Sequence, residues 1–298
     1  MKKRIAIPIV FFGSEEASVI ILKKVLSLSS LKTTLVITKP PRPAGRNQIL
    51  TPTPVGQFAK NNSLPLLTPQ ELNHQLCQKI AQTKPEVAVL AAYGQIVPQE
   101  LINVFPKGII NVHPSLLPKL RGATPVASAI LGGKKTTGVS LFLIDKKVDH
   151  GPIIAQEKTL IKNNDTQESL TEKLFCLGAR LLEKKLFDYL EEKITPQPQE
   201  HQKASFTKLL SRQDGYIEPN HLKRALLGDQ GLADKIDRKI RAFFSWPGTF
   251  TFVKNQRLKI IKAHQEDNCL RLDLVQLSGG KPIPWNKDLA KSFLLPWS

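Results

Sequence analysis

Cysteine is scarce in this 298-residue chain: Cys77, Cys176 and Cys269 lie far apart and form no CxxC pair. That spacing excludes a zinc knuckle or dithiol redox motif, and an odd, scattered set fits a reducing, cytoplasmic setting. Acidic residues are also short, 25 against 43 Lys plus Arg, giving a net charge of +18. Such a field favours a polyanion, with nucleic acid ahead of an acidic membrane surface. No apolar run is long enough to span a bilayer, so no membrane partner is expected. The N-terminal MKKRIAIPIVFFGS looks briefly like a secretory leader, but Glu15 and Glu16 follow at once and no small-residue cleavage pattern appears. A buried first strand over Ile5–Phe12 explains the run better. Neither GxGxxG nor GxxxxGK[ST] occurs, so dinucleotide and P-loop phosphate sites are not signalled.

What is present is an alternation of strand and helix. A helix is expected over Ala17–Leu28 and a strand over Thr34–Thr38. Thr53-Pro54 reads as a helix cap and first turn. EVAVLAAYG, GIINVH, TGVSLFLID and PIIAQEKTLI are further β-rich runs. Asp165 with Glu168 three positions on resembles a capping box opening a long helix to Leu190. This pattern implies an α/β fold, a doubly wound, mostly parallel sheet. KPPRPAGRNQILTPTP is too rich in Pro, Gly and Arg for regular structure. KITPQPQEHQKAS reads as a linker, which places one domain at 1–192, a linker at 193–205 and a small β-barrel domain at 206–298. In the smaller domain a single basic helix, carrying Lys235, Arg238, Lys239 and Arg241, precedes several short strands. Those four residues are either a track for a nucleic-acid backbone or an ordinary solvated helix face.

The chemistry concentrates in NVHPSLLPKLRG, Asn111 to Gly122. Residues two apart on a strand share a face. Asn111 and His113 therefore project together at the carboxyl end of an apolar run, where ligands bind in open α/β sheets. A core histidine beside a turn-forming Asn is the plainer reading of the same spacing. A second apolar run ends in LFLIDKKVDHGP, bringing Asp145 and Asp149. Either carboxylate, set beside His113, would orient it and relay protons, while an Asn amide could donate to a developing oxyanion. Together they suit attack by an amine on a carbonyl-type carbon, and chemistry alone leaves Asp145 and Asp149 open. No metal is required, because the His and acidic residues lack a recognised ligand spacing.

NVHPSLLPKLRG with the downstream VDHGP resembles the core of the 10-formyltetrahydrofolate-dependent formyltransferases. KPPRPAGRNQILTPTPVGQFAKNNSLPLLTP and IRAFFSWPGTF resemble, within that family, the branch acting on methionyl initiator tRNA. The likeness covers most of the chain and fades after about Gly279. It implies a Rossmann-like formyltransferase domain followed by a small OB-like β-barrel, with 10-formyltetrahydrofolate as formyl donor and initiator methionyl-tRNA as acceptor. It also implies a monomer.

By the same resemblance Asn111 hydrogen-bonds the formyl oxygen, and His113 stabilises the tetrahedral intermediate. Asp149 rather than Asp145 holds His113. Ser115, Leu116, Leu117 and Pro118 bind folate largely through backbone, with Lys146–Gly151 as the neighbouring loop. Arg42, Arg46 and Arg121 are the tRNA-facing arginines. Two departures stand out: Pro114 follows His113 where Gly is usual in the tRNA branch, and Gly13-Ser14-Glu15-Glu16-Ala17 lacks the usual Pro and Phe, which puts the methionine contacts in question. The alternatives are an amino-sugar nucleotide as acceptor, or a catalytically silent RNA-binding protein on the same fold.

Overall fold

The computed structural model describes residues 6–45, 47–253, 255–286 and 289–290. The chain divides into two compact units. One comprises residues 1–123, 136–160 and 171–207, and the other comprises 124–135, 161–170 and 208–298.

The first unit is built on a seven-stranded sheet. Its strands are β1 (Ile7–Gly13), β2 (Leu31–Ile37), β5 (Leu66–Leu67), β6 (Val87–Ala91), β7 (Ile109–His113), β8 (Thr136–Leu143) and β9 (Ile153–Leu160), in the order β5-β2-β1-β6-β7-β8-β9. The first five in that order run parallel, and β8 is the reversed strand, pairing antiparallel with β7 on one side and β9 on the other. The expected strand start at Ile5 lies outside the described residues. Alternation along β1 distributes the core: Val10 and Phe12 join a buried cluster with Leu76, Ile80, Leu101 and Ile109. That cluster includes residues of α3 (His74–Gln82) and α4 (Gln99–Ile102). The β1 residues in between, Ile9 and Phe11, are fully buried as well, so both faces of the sheet are covered. Helix α1 (Glu16–Ser27) and helix α6 (Gln167–Leu190) meet behind the site. There a side chain at Gly178 would strike Val112 of β7 at 2.6 Å and approach Val139 and Ile21.

Several local signals act as expected and others do not. Thr53 caps α2 (Pro54–Asn61), accepting from the Gly56 amide at 3.0 Å. The long helix is capped by a different pair from Asp165 and Glu168. Thr166 and Ser169 exchange bonds, Ser169 N to Thr166 Oγ1 at 3.2 Å and Thr166 N to Ser169 Oγ at 2.9 Å. Asp165 instead closes the preceding turn, accepting from the Lys162 amide at 2.8 Å. The Pro-rich stretch contains regular structure after all: β3 (Arg42–Ala44) and β4 (Ile49–Thr51) form an antiparallel hairpin. Its turn uses left-handed backbone at Gly45 and Gln48.

The segment read as a linker is bound into the first unit. Gln197 and Ile153 exchange two backbone hydrogen bonds of 2.8 Å, which extend the β9 edge. Arg121 and Ser205–Thr207 pair through backbone in the same way. The residue before a proline favours extended backbone, so TPQPQ is preformed for such edge pairing despite its loop-like composition.

The second unit gathers α5 (Pro125–Leu131), α7 (Pro219–Leu226), α8 (Gln230–Ala242) and a four-stranded antiparallel sheet. The sheet order is β10 (Thr249–Val253), β11 (Gln256–Glu266), β12 (Cys269–Leu277), β13 (Ile283–Pro284). Ile236 and Ile240 of α8 and Leu222 of α7 pack with Leu258, Ile260, Leu272 and Val275. Among the described residues the expected small C-terminal β domain is thus built on a four-stranded antiparallel sheet. Among the described residues no helix is long and apolar enough to cross a membrane.

Candidate functional site

The site forms at the carboxyl end of β7. Val112 faces α6, so its neighbours Asn111 and His113 project from the opposite face. His113 is 5% exposed, with its ring edge-on to Phe142 of the adjacent β8. Its Nε2 lies 3.1 Å from the carbonyl of Leu120. A carbonyl only accepts, so Nε2 carries a proton and Nδ1 is the ring's basic nitrogen. Nδ1 faces Asp149 Oδ2 at 3.6 Å, an ion-pair distance rather than a hydrogen bond. That carboxylate oxygen accepts the Gly122 amide at 2.7 Å. Gly122 reaches it with φ +107°, a conformation an L side chain rarely adopts, and Asp149 itself sits at φ +48°. Asn111 is half-buried, and its carboxamide has no hydrogen-bond partner among the described residues.

The two aspartates separate cleanly. Asp145 accepts from the Lys147 amide at 2.9 Å and binds His150 Nδ1 at 2.6 Å. His150 in turn stacks on His201, with ring centroids 3.9 Å apart. Asp145 is therefore committed to the shape of its own loop, and Asp149 is the carboxylate that meets His113.

Ser115–Pro118 is a rigid wall. Ser115 is fully buried and its hydroxyl donates to the Lys119 carbonyl at 2.7 Å. Ser140 on β8 donates to the Ser115 carbonyl at 2.6 Å and receives the Leu117 amide at 3.0 Å. Gln156 on β9 donates to the Leu117 carbonyl at 2.9 Å. These bonds hold the backbone of the stretch in one conformation beside His113.

Arg121 departs from its expected place at a nucleic-acid surface. It is 3% exposed. Its Nε and Nη2 donate to Gln199 Oε1 at 3.2 and 2.6 Å, and Nη2 donates to His201 Nδ1 at 2.9 Å. Burial pushes its pKa down while Asp149 and Asp145 oppose that shift. With Nε and Nη2 engaged inside the protein, the guanidinium is largely withdrawn from the surface. Arg42 is exposed on the hairpin, next to exposed Ile49 and Leu50, and Arg46 lies outside the described residues. On α8 only Lys235 of the four basic residues is exposed. Lys239 donates to the Tyr216 carbonyl, Arg241 pairs with Asp237 at 2.9 Å and donates to the Asp165 carbonyl, and Arg238 lies against Gly133. Tyr93, packed edge-on against Phe12, has its hydroxyl pKa pushed up to about 12 by burial, which removes it from acid–base work near neutrality. Among the described residues no three His, Cys, Asp or Glu side chains gather as a metal site.

Sequence reasoning missed Gln199, which is 5% exposed and donates to the carbonyls of Asp149 at 3.0 Å and Gly151 at 2.7 Å. No motif marked it. The available signal was an extended Thr-Pro-Gln-Pro-Gln run able to pair along a sheet edge.

The chain as a whole is similar to known proteins. Residues 4–186 match the Formyl transferase family and residues 230–269 match the Formyl transferase C-terminal domain. The chain belongs to the formyltransferase family. It is 38% identical to a methionyl-tRNA formyltransferase of Roseiflexus castenholzii across 93% of each chain. It is 43% identical to one of Chloroflexus aurantiacus across 76% of this chain and 71% of the relative. Its fold matches the solved methionyl-tRNA formyltransferase of Clostridium thermocellum at TM-score 0.59 and 18% identity, over 91% of this chain and 98% of the other. A 4-N formyltransferase of Francisella tularensis matches at TM-score 0.66 and 16% identity, over 88% and 99%. The fold is thus shared by formyltransferases of more than one kind, and the sequence identity lies with the methionyl-tRNA enzymes.

Proposed function

We propose that this formyltransferase moves the formyl group of 10-formyltetrahydrofolate to the α-amino group of methionyl initiator tRNA. The observation that carries the reading is the buried His113–Asp149 pair, with Asn111 on the strand face of His113 and unpartnered among the described residues. It is supported by 38% identity to a methionyl-tRNA formyltransferase across nearly the whole chain.

The roles follow from the atoms. The amine nitrogen attacks the formyl carbon, and the Asn111 amide donates to the oxygen as negative charge develops on it. The attacking nitrogen sheds a proton, which Nδ1 of His113 can hold because Nε2 is already protonated toward Leu120. Asp149 then faces an imidazolium, and the ion pair tightens as charge appears. The folate nitrogen leaves with the electron pair of its carbon–nitrogen bond and takes a proton, so the net proton count is unchanged. The protein also binds and orients the two substrates, which turns their encounter into an effectively unimolecular step.

Ser115, Leu116, Leu117 and Pro118, with the 146–151 loop, form the folate wall in this reading. Arg42 on the β3–β4 hairpin, together with Arg46, meets the acceptor end of the tRNA in this reading, where single-stranded nucleotides are readable. The +18 charge supplies long-range attraction to the RNA. Asn111, His113 and Asp149 come from one chain, so one copy suffices, and the reaction belongs in the cytoplasm.

Formyl transfer measured side by side on methionyl initiator tRNA, methionyl elongator tRNA, free methionine and an amino-sugar nucleotide tests the proposal. Turnover confined to the initiator is expected. Transfer to the sugar nucleotide and none to tRNA would overturn the acceptor, and RNA binding without any transfer would overturn the activity.

A further inference from the structure

We propose that Gln199 is a positioning residue for Asp149, set in place by a strap of chain that crosses the site. This rests on the reading of Asp149 as the partner of His113.

The 197–207 segment touches both loops that frame His113. At one end Gln197 pairs with Ile153 at the β9 edge. At the other, Ser205 and Thr207 pair through backbone with Arg121, and the Ser205 hydroxyl accepts the Leu120 amide at 2.9 Å. Between them a single buried carboxamide uses every polar atom it has. Both Gln199 donor bonds go to the loop of Asp149, at the Asp149 and Gly151 carbonyls. Its acceptor oxygen takes two bonds from Arg121, the residue next to Gly122, whose amide binds the Asp149 carboxylate. Gln199 therefore bridges the peptide that carries the carboxylate and the peptide that clamps it.

Asp149 requires that bridge. Its left-handed φ of +48° is sparsely populated for a residue with a side chain, and such a conformation persists only where surrounding bonds over-determine it. Two bonds do so: the Gln199 amide on its carbonyl and the Gly122 amide on its carboxylate. With the first removed, the carboxylate is free to drift from His113 Nδ1. Misplacement on the order of 1 Å costs about 100-fold in rate.

The test uses the full chain with Gln199→Glu, which keeps an acceptor for Arg121 and loses both donors, and Gln199→Met, which loses all three functions. Each is made alone and with Asp149→Asn, and read in single turnover so that slow variants stay measurable. In the native background kcat should fall about 10- to 100-fold, with KM for folate and tRNA within about 2-fold. In the Asp149→Asn background either change should cost less than about 2-fold further, because the group Gln199 positions is already lost. Full kcat in both single variants, or the same fold-loss in both backgrounds, would overturn the proposal. Collapse of the folded state in both variants, seen by circular dichroism, would also overturn it and assign Gln199 to the fold. Native turnover by Asp149→Asn alone would overturn the site reading itself, an outcome distinct from any of these.

Discussion

His113 Nδ1 stands 3.6 Å from Asp149 Oδ2, with both side chains largely buried and the carboxylate pinned by the Gly122 amide. The gap exceeds a hydrogen bond, so the pair is poised to close when a proton reaches Nδ1. His113→Ala and Asp149→Asn should each lower kcat by about 100- to 10,000-fold, the range of positioned acid–base groups. Filter binding of tRNA and fluorescence titration of folate should change little. Loss of tRNA binding in step with kcat would show that the pair holds the RNA instead.

Asn111 carries the oxyanion argument. Asn111→Ala should cost about 100- to 1,000-fold in kcat with small effects on KM, since the amide acts as charge develops. A rise in folate KM at constant kcat would make it a ground-state binding group.

Arg42 is exposed on a hairpin and its contact, if with phosphate, is electrostatic. Arg42→Ala should weaken tRNA binding and reduce the slope of log K against log salt by about 1. Folate affinity should stay at the native value. An unchanged salt slope would place the hairpin away from the RNA backbone.

Gly178 permits α6 to press against β7. Gly178→Ala should destabilise the first unit by about 1–3 kcal/mol, because Val112 and Val139 leave no room for a methyl group. Chemical denaturation reads this directly. Turnover should fall as well if Val112, between Asn111 and His113, is displaced.

His201 accepts from Arg121 and stacks on His150, so its proton is unwelcome. Its pKa is lowered by desolvation first, then by the neighbouring charges of His150, Arg121 and Lys147, with Asp145 opposing. A His depressed in the folded state binds its proton more readily when unfolded. Its contribution is therefore present above its ordinary value near 6.5 and is lost as pH falls through the folded value. Thermal melting across pH 5 to 8 should show native stability declining on the acid side more steeply than in His201→Gln. Parallel curves would remove His201 from the balance.

Much of the candidate site was legible because its components are local. Asn111 and His113 share a face by strand periodicity alone, and the turn residues around Asp145 and Asp149 are visible in the chain. Thr53-Pro54 announced its helix for the same reason. The hairpin pairing Arg42 with Thr51 was hidden, because prolines and a glycine disguise a ladder only three residue pairs long among the described residues.

What the amino-acid order determined alone is the alternation of elements, the basic charge, and the residue types gathered at the end of one strand. These depend on neighbours a few positions apart, where side-chain periodicity and turn chemistry decide. What only the tertiary structure decided is which aspartate meets His113, that Arg121 is buried, and that a proline-rich stretch pairs with the β9 edge and with Arg121. Each depends on hydrogen bonds between residues tens of positions apart in the chain. Gln199 lies 50 residues from Asp149 and 78 from Arg121, and only the folded chain brings them within hydrogen-bonding reach.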